Sequence, residues 1–248
     1  MATVTIPART VPGTRYDHRF FPAMVIVLTI TMVAGFAHTY FFAGVFRAPL
    51  PGLLIHIHGA VFTLWFALLL TQSFLVASGR VGLHRKLGIA GIVVAASMVP
   101  LGVMATAEFA RRMAQTMPRI RIATIMPIAE LAAFAALAAA AFLLRRKPAA
   151  HKRLILLATV GIIPAATGRM EFIPLFHLHG ANAIRLVWAY SYLFLLPIVA
   201  YDLWSRRRIH PATAWGSIFL IGLHQVAIQI AYTAPWDAFA AWLQSWNL

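Results

Sequence analysis

Between Leu53 and Ala77 the chain reads LLIHIHGAVFTLWFALLLTQSFLVA, 25 residues with no Asp, Glu, Lys or Arg, followed at once by Ser78-Gly79-Arg80. At 1.5 Å per residue such a run covers about 37 Å, enough to cross the roughly 30 Å hydrocarbon layer of a bilayer as one helix. It is apolar around most of its circumference, which a helix on the surface of a soluble domain is not. The rest of the sequence repeats the pattern. Apolar runs fall at about 22–44, 53–77, 88–109, 123–144, 154–175, 184–204 and 215–235, separated by short connections that make successive helices antiparallel neighbours. The predicted fold is all-α: a polytopic membrane bundle of about seven transmembrane helices. It has a segment 1–20 before the bundle, a seven-helix domain 21–235 and an interfacial segment 236–248 carrying Trp236, Trp242 and Trp246.

Composition agrees. Of 248 residues 61% are hydrophobic and 11% charged, with a mean hydropathy of +0.80, where soluble domains carry about 25% charged residues. The net charge of +15 does not indicate nucleic acid. The basic residues sit in short clusters at the ends of apolar runs, where anionic lipid headgroups attract them, and form no basic face interleaved with aromatics. Membrane lipids are the expected partners. The absence of cysteine excludes thiolate metal sites, disulfides and thioether-linked haem, leaving His, Asp and Glu as ligands. The first apolar run lacks a small-residue cleavage pattern and reads as an uncleaved first span.

Orientation follows from Lys and Arg. Arg9, Arg15 and Arg19, then Arg80, Arg85 and Lys86, then Arg145, Arg146, Lys147, Lys152 and Arg153, then Arg206, Arg207 and Arg208 all fall on one face, fourteen of the 21. The positive-inside rule makes that face cytoplasmic, predicting N-in, C-out in a bacterial inner membrane. Arg111, Arg112, Arg119 and Arg121 on the opposite face run against the trend.

Ionisable groups inside a bilayer are costly and are functional candidates by default. Placed by depth, most fall in the outer half: His38, His56 and His58, Glu108, Glu130, Arg169 and Glu171, then His177 and His179 in the following loop, with His224 near the middle of the last span. The inner half reads as nearly all apolar. His58, Trp65 and Gln72 recur every seven residues and share one helix face, lining either a cofactor slot or a helix–helix seam. His56-x-His58 and His177-x-His179 are chelating pairs if the helix entrance after Pro51-Gly52 is unwound, and with Glu108 they compose a metal-ligand set suited to Zn, Cu or Fe. Glu130 and Glu171 are the candidates for acid–base chemistry, and Glu130 is a natural partner for Arg169. His38, His58, Trp65, Gln72, His224 and Arg169 are the candidate cofactor contacts; a b-type haem needs two of the histidines from different helices at matching depth. Toward the inner face, Gly82-Leu83-His84-Arg85-Lys86-Leu87 and Ala150-His151-Lys152-Arg153-Leu154 form a weak repeat 67 residues apart, expected to meet headgroups, and Asp202 is expected to pair with Arg206.

The motifs His58-Gly59…Trp65…Gln72…Gly79-Arg80…Leu83-His84-Arg85-Lys86-Leu87-Gly88 and Arg208-Ile209-His210-Pro211-Ala212-Thr213-Ala214-Trp215-Gly216 resemble those of a family of uncharacterised bacterial multi-pass membrane proteins. More distantly, the chain is similar to a small family implicated in haem–copper oxidase assembly, and the two-hairpin arrangement to b-type cytochromes. The resemblance implies a respiratory setting, as a subunit of or accessory to a respiratory complex. Four functional classes stay open: a haem- or metal-binding redox protein, a quinone, lipid or small-anion binder or transporter, a metal-dependent membrane hydrolase, and a subunit or scaffold of a larger complex with no chemistry of its own.

Overall fold

The computed structural model describes residues 16–116, 120–170 and 181–247. Among them, seven helices are long and apolar enough to cross a membrane: α1 (Asp17–Phe41), α2 (Leu53–Ala77), α3 (Val81–Met113), α4 (Ile120–Leu143), α5 (Pro148–Thr167), α6 (Asn182–Arg206) and α7 (Pro211–Ile230). An eighth, α8 (Ala234–Gln244), closes the chain. No strand occurs among the described residues. The protein is an all-α polytopic membrane bundle. An odd number of spans leaves the start of α1 and the end of α7 at opposite ends, here called the basic end and the far end.

The helices outrun the apolar runs that define them. α3 begins seven residues before its apolar core, so that His84, Arg85 and Lys86 are helical, and α5 begins at Pro148, a residue suited to a first helical turn because its missing N–H has no intrahelical partner there. Gly79, at φ +76°, makes the tight turn between α2 and α3 that other residues adopt only with strain. Of five prolines in span interiors, Pro22 lies in the first turns of α1 and three mark breaks in the ladder: Thr124 before Pro127, Ile163 before Pro164, and Leu193-Phe194 before Pro197. Each removes a donor and crowds the carbonyl four residues back. Pro100 leaves α3 continuous.

α5 is the central helix. In its most apolar window 72% of residues are buried, against 11% for α2, and it packs on α1, α4, α6 and α7. Leu28, Trp65, Met98, Phe134, Leu157, Ile198 and Leu220 bring six neighbours and α5 itself into one core. Lipid tails are as apolar as these side chains, so close packing and interhelical hydrogen bonds, rather than exclusion of water, hold the spans together.

At the far end α8 lies against α3 and α4. Trp236 Nε1 donates to the Arg121 carbonyl at 2.8 Å, Arg121 pairs with Asp237 at 3.0 Å, and Gln244 Nε2 donates to the Ala110 carbonyl at 3.4 Å. Arg111 and Arg112 both pair with Glu108. Three of the four arginines that ran against the charge asymmetry are therefore matched locally by carboxylates, which explains why that loop tolerates them; Arg119 lies outside the described residues.

Candidate functional site

The outer-half histidine site read from the sequence is not assembled as expected. α2 is regular from Leu53, so His56 and His58, two residues apart, project to different sides and cannot chelate one ion. His56 is exposed, 5.7 Å from the Tyr40 ring, and its carbonyl accepts from Tyr40 Oη at 3.2 Å. His38 is exposed too and stacks on Phe46 at 3.6 Å, away from His58. Glu108, placed in the metal set, has both oxygens taken by Arg111 and Arg112. Among the described residues no three His, Cys, Asp or Glu gather as a metal site. His177, His179 and Glu171 lie outside the described residues.

The heptad-spaced face of α2 turns out to be a seam. Trp65 is buried, donates Nε1 to Thr159 Oγ1 of α5 at 3.3 Å and meets Phe134 of α4 edge-on at 5.1 Å. It divides His58, which faces the Leu101 backbone and Phe62 toward the far end, from Gln72 near the basic end. Arg169 donates to the Ala165 carbonyl and lies over the Phe36 ring at 4.6 Å. It is an electrostatic neighbour of Glu130 and His58, but makes no ion pair with Glu130, correcting the expected partnership.

Two clusters emerge instead. At the far end Glu130 of α4 is buried and accepts a hydrogen bond from Trp188 Nε1 of α6 at 3.3 Å. Trp188 stacks on His224 of α7, ring centres 4.1 Å apart and planes 12° from parallel, and His224 Nδ1 lies 2.9 Å from Tyr192 Oη. His224 and Glu130 were legible as intramembrane polar residues; Trp188 and Tyr192 were not, because aromatics in a span carry no signal of their own.

The second cluster lies at the basic end, where the sequence suggested an apolar bundle and lipid-facing cations. Arg153, 1% exposed, donates Nε to Asp202 Oδ1 at 2.9 Å, pairs with it again through Nη2, and donates Nη1 to the Ala149 carbonyl at 2.8 Å. Asp202 Oδ2 accepts from Thr213 Oγ1 at 2.6 Å and from the His210 N–H at 3.0 Å. Lys152 pairs with Asp17, whose other oxygen accepts from Tyr201 at 2.7 Å. Neither cation is free for a headgroup, and Asp202 belongs to Arg153 rather than to Arg206. Burying such charges is tolerable only when every donor and acceptor is matched.

The repeat finds a structural meaning here. His84 of α3 and His151 of α5 face each other, ring centres 6.4 Å apart and planes at 77°. His151 Nδ1 lies 2.8 Å from the Ala141 carbonyl. A carbonyl only accepts, so Nδ1 carries the proton and Nε2 keeps its lone pair. His84 rests against the Gln72 backbone; its Nδ1 and the Gln72 side-chain oxygen are buried without a hydrogen-bond partner among the described residues. Gln72 reaches the α3 face one turn beyond His84, close to Gly88. Two imidazoles from α3 and α5 thus face each other, with Gln72 of α2 beside His84.

His210, in the α6–α7 connection, caps α7 by accepting the Ala212 N–H at its Nδ1, 3.0 Å away. Burial, then the positive charges of Arg153 and Arg206, hold its pKa below the ordinary 6.5, against the opposing pull of Asp202; Lys152 adds to the depression. The folded protein therefore takes up this proton at lower pH than the unfolded chain does. The stability His210 contributes is complete above 6.5 and is lost as pH falls toward the folded-state pKa. Thermal unfolding in detergent is expected to show a midpoint falling between about pH 7 and about pH 5, with a shallower slope in His210→Asn, which keeps a capping side chain but does not titrate. Equal slopes would remove His210 from the account.

Fold and clusters together define a class, a seven-span helical bundle with a buried polar cluster at each end, Glu130 and His224 at one and Arg153 and Asp202 at the other. Comparison of the chain with protein-family models, curated proteins and solved structures finds no match.

Proposed function

We propose that the protein is a redox protein of the bacterial inner membrane that holds a haem-type iron between His84 and His151. The observation that carries this reading is the facing pair itself. The ring centres lie 6.4 Å apart, which would leave room for one metal ion held by a nitrogen of each ring at about 2.0–2.1 Å. His151 has the arrangement common to metal-bound imidazoles, one ring N–H fixed by a carbonyl and the other nitrogen free. The surroundings favour an anionic complex over a bare dication. Arg85 and Lys86, exposed beside His84, have no carboxylate within salt-bridge distance among the described residues, and suit the propionates of a b-type haem. A bound haem would supply reversible one-electron chemistry; His84 and His151 would hold it, Phe142 would add an apolar wall, and Arg85 and Lys86 would add matching positive charge. The motif resemblance adds the setting, beside a respiratory complex.

An absorbance spectrum and iron analysis of protein purified in mild detergent test the reading. One haem per chain with a low-spin bis-imidazole spectrum is expected, lost in His84→Ala and His151→Ala and retained in His38→Ala. Protein without haem after expression in haem-replete cells, and unable to take up added haemin, would overturn it.

A further inference from the structure

The cluster at the far end uses none of these residues. Its three rings lie nearly parallel: Trp188 on His224 at 4.1 Å and 12°, and Tyr192 beyond His224 at 5.8 Å and 22°. They are walled by apolar side chains of α4, α6 and α7, Ile125, Ile184 and Ile228 among them. His224 is 1% exposed, and its Nε2 is buried without a partner among the described residues. A ring nitrogen left so inside an apolar bundle is costly. Tyr192 Oη and His224 Nδ1 share a hydrogen bond in which either atom can donate, so Nε2 offers an N–H in one tautomer and a lone pair in the other. Glu130, hydrogen-bonded to the same indole, can bond a hydroxyl.

From this we infer that the far-end cluster binds a lipid-soluble quinone. The ligand must be flat, to stack with parallel rings, uncharged, to lie beside a carboxyl group in an apolar bundle, and must carry a ring oxygen that meets His224 Nε2, as a carbonyl accepting from its N–H or a hydroxyl donating to its lone pair. A quinone meets all three conditions. Its reduced form, with hydroxyls in place of carbonyls, can be met by the Glu130 carboxyl. Arg169, an electrostatic neighbour of Glu130, offsets the cost of a carboxylate there. The site stands independently of the haem reading, because it shares no residue with His84 and His151.

The test is binding of a short-chain benzoquinone to the full chain in phosphatidylcholine nanodiscs, measured by equilibrium dialysis. Saturable binding of one molecule per chain is expected. His224→Phe, which keeps a ring but removes its polar nitrogens, weakens it about tenfold. His224→Gln, which restores an N–H, recovers part of the loss, and His84→Ala leaves binding unchanged whatever it does to the spectrum. Unfolding midpoints establish that each variant is folded. Binding that is absent, or equal in His224→Phe and the parent protein, overturns the proposal, as does displacement of the quinone by a fatty acid anion more readily than by an uncharged naphthoquinone.

Discussion

Asp202→Ala is expected to destabilise the folded protein by about 3–5 kcal/mol, the usual cost of stripping the partner from a buried charge. The side chain is fully buried and serves three donors from different parts of the chain: the Arg153 guanidinium of α5, the Thr213 hydroxyl of α7 and the His210 N–H between α6 and α7. Removing it leaves a cation in the apolar interior and unpairs a hydroxyl and an amide with it. The pair is weak evidence of net stabilisation in itself; its effect appears when one half is lost. Asp202→Asn keeps acceptor capacity for Thr213 and His210 and gives up the charge, so its loss should be smaller. A double change of Arg153 and Asp202 to Met and Leu recovers much of the loss, because no charge is then stranded. Equilibrium unfolding in mixed micelles reads all three. A loss below about 1 kcal/mol in Asp202→Ala would mean that water reaches Arg153 and that the cluster is not dry.

The second large effect lies at the crossing of α1 and α5. A Cβ on Gly35 would sit 2.3 Å from the Ala166 carbonyl oxygen, 2.6 Å from its carbonyl carbon and 2.7 Å from its Cα. These are main-chain atoms, so no rotamer change relieves the clash and the two helices must separate. Overpacking of this kind costs about 1–3 kcal/mol, and Gly35→Ala belongs at the upper end. In a bilayer such small-residue contacts supply much of the attraction between helices, so the separation also loosens α5, on which the His151 and Arg153 positions depend. Gly222→Ala in α7 is the control: nothing lies within 4 Å of the added methyl, and the better helix propensity of alanine makes it neutral or favourable by up to about 1 kcal/mol. Unfolding midpoints of the two variants in one detergent separate crowding from propensity. Equal behaviour would show that α1 and α5 do not approach as closely as described.

The spans were legible because hydrophobicity needs only composition and length. Each predicted run overlaps an observed helix, and α2 matches from Leu53 to Ala77. The ends were less legible. A helix does not stop where its side chains become polar, and the basic turns of α3 and α5 are helical although they add nothing to the apolar signal. That shift moved His84, His151 and Arg153 from presumed surface turns into helices of the bundle. Among the candidate residues, Glu130 of α4 and His224 of α7 are both buried. His56, paired with His58 on spacing alone, required an unwound helix entrance that α2 does not have. Gly35 had no distinguishing mark, since its role depends on which helix crosses it.

The amino-acid sequence by itself determined the number of spans, their lengths and the asymmetry of charge between the two ends, because each follows from the cost of placing a residue of given polarity at a given depth. Which polar groups meet was decided only by the tertiary structure. Rotation of each helix about its axis sets whether Arg153 finds Asp202 or a headgroup, and whether His151 finds His84. That rotation is fixed by packing against neighbours distant in sequence, with no water–apolar boundary inside the bilayer to print it on the pattern of residues.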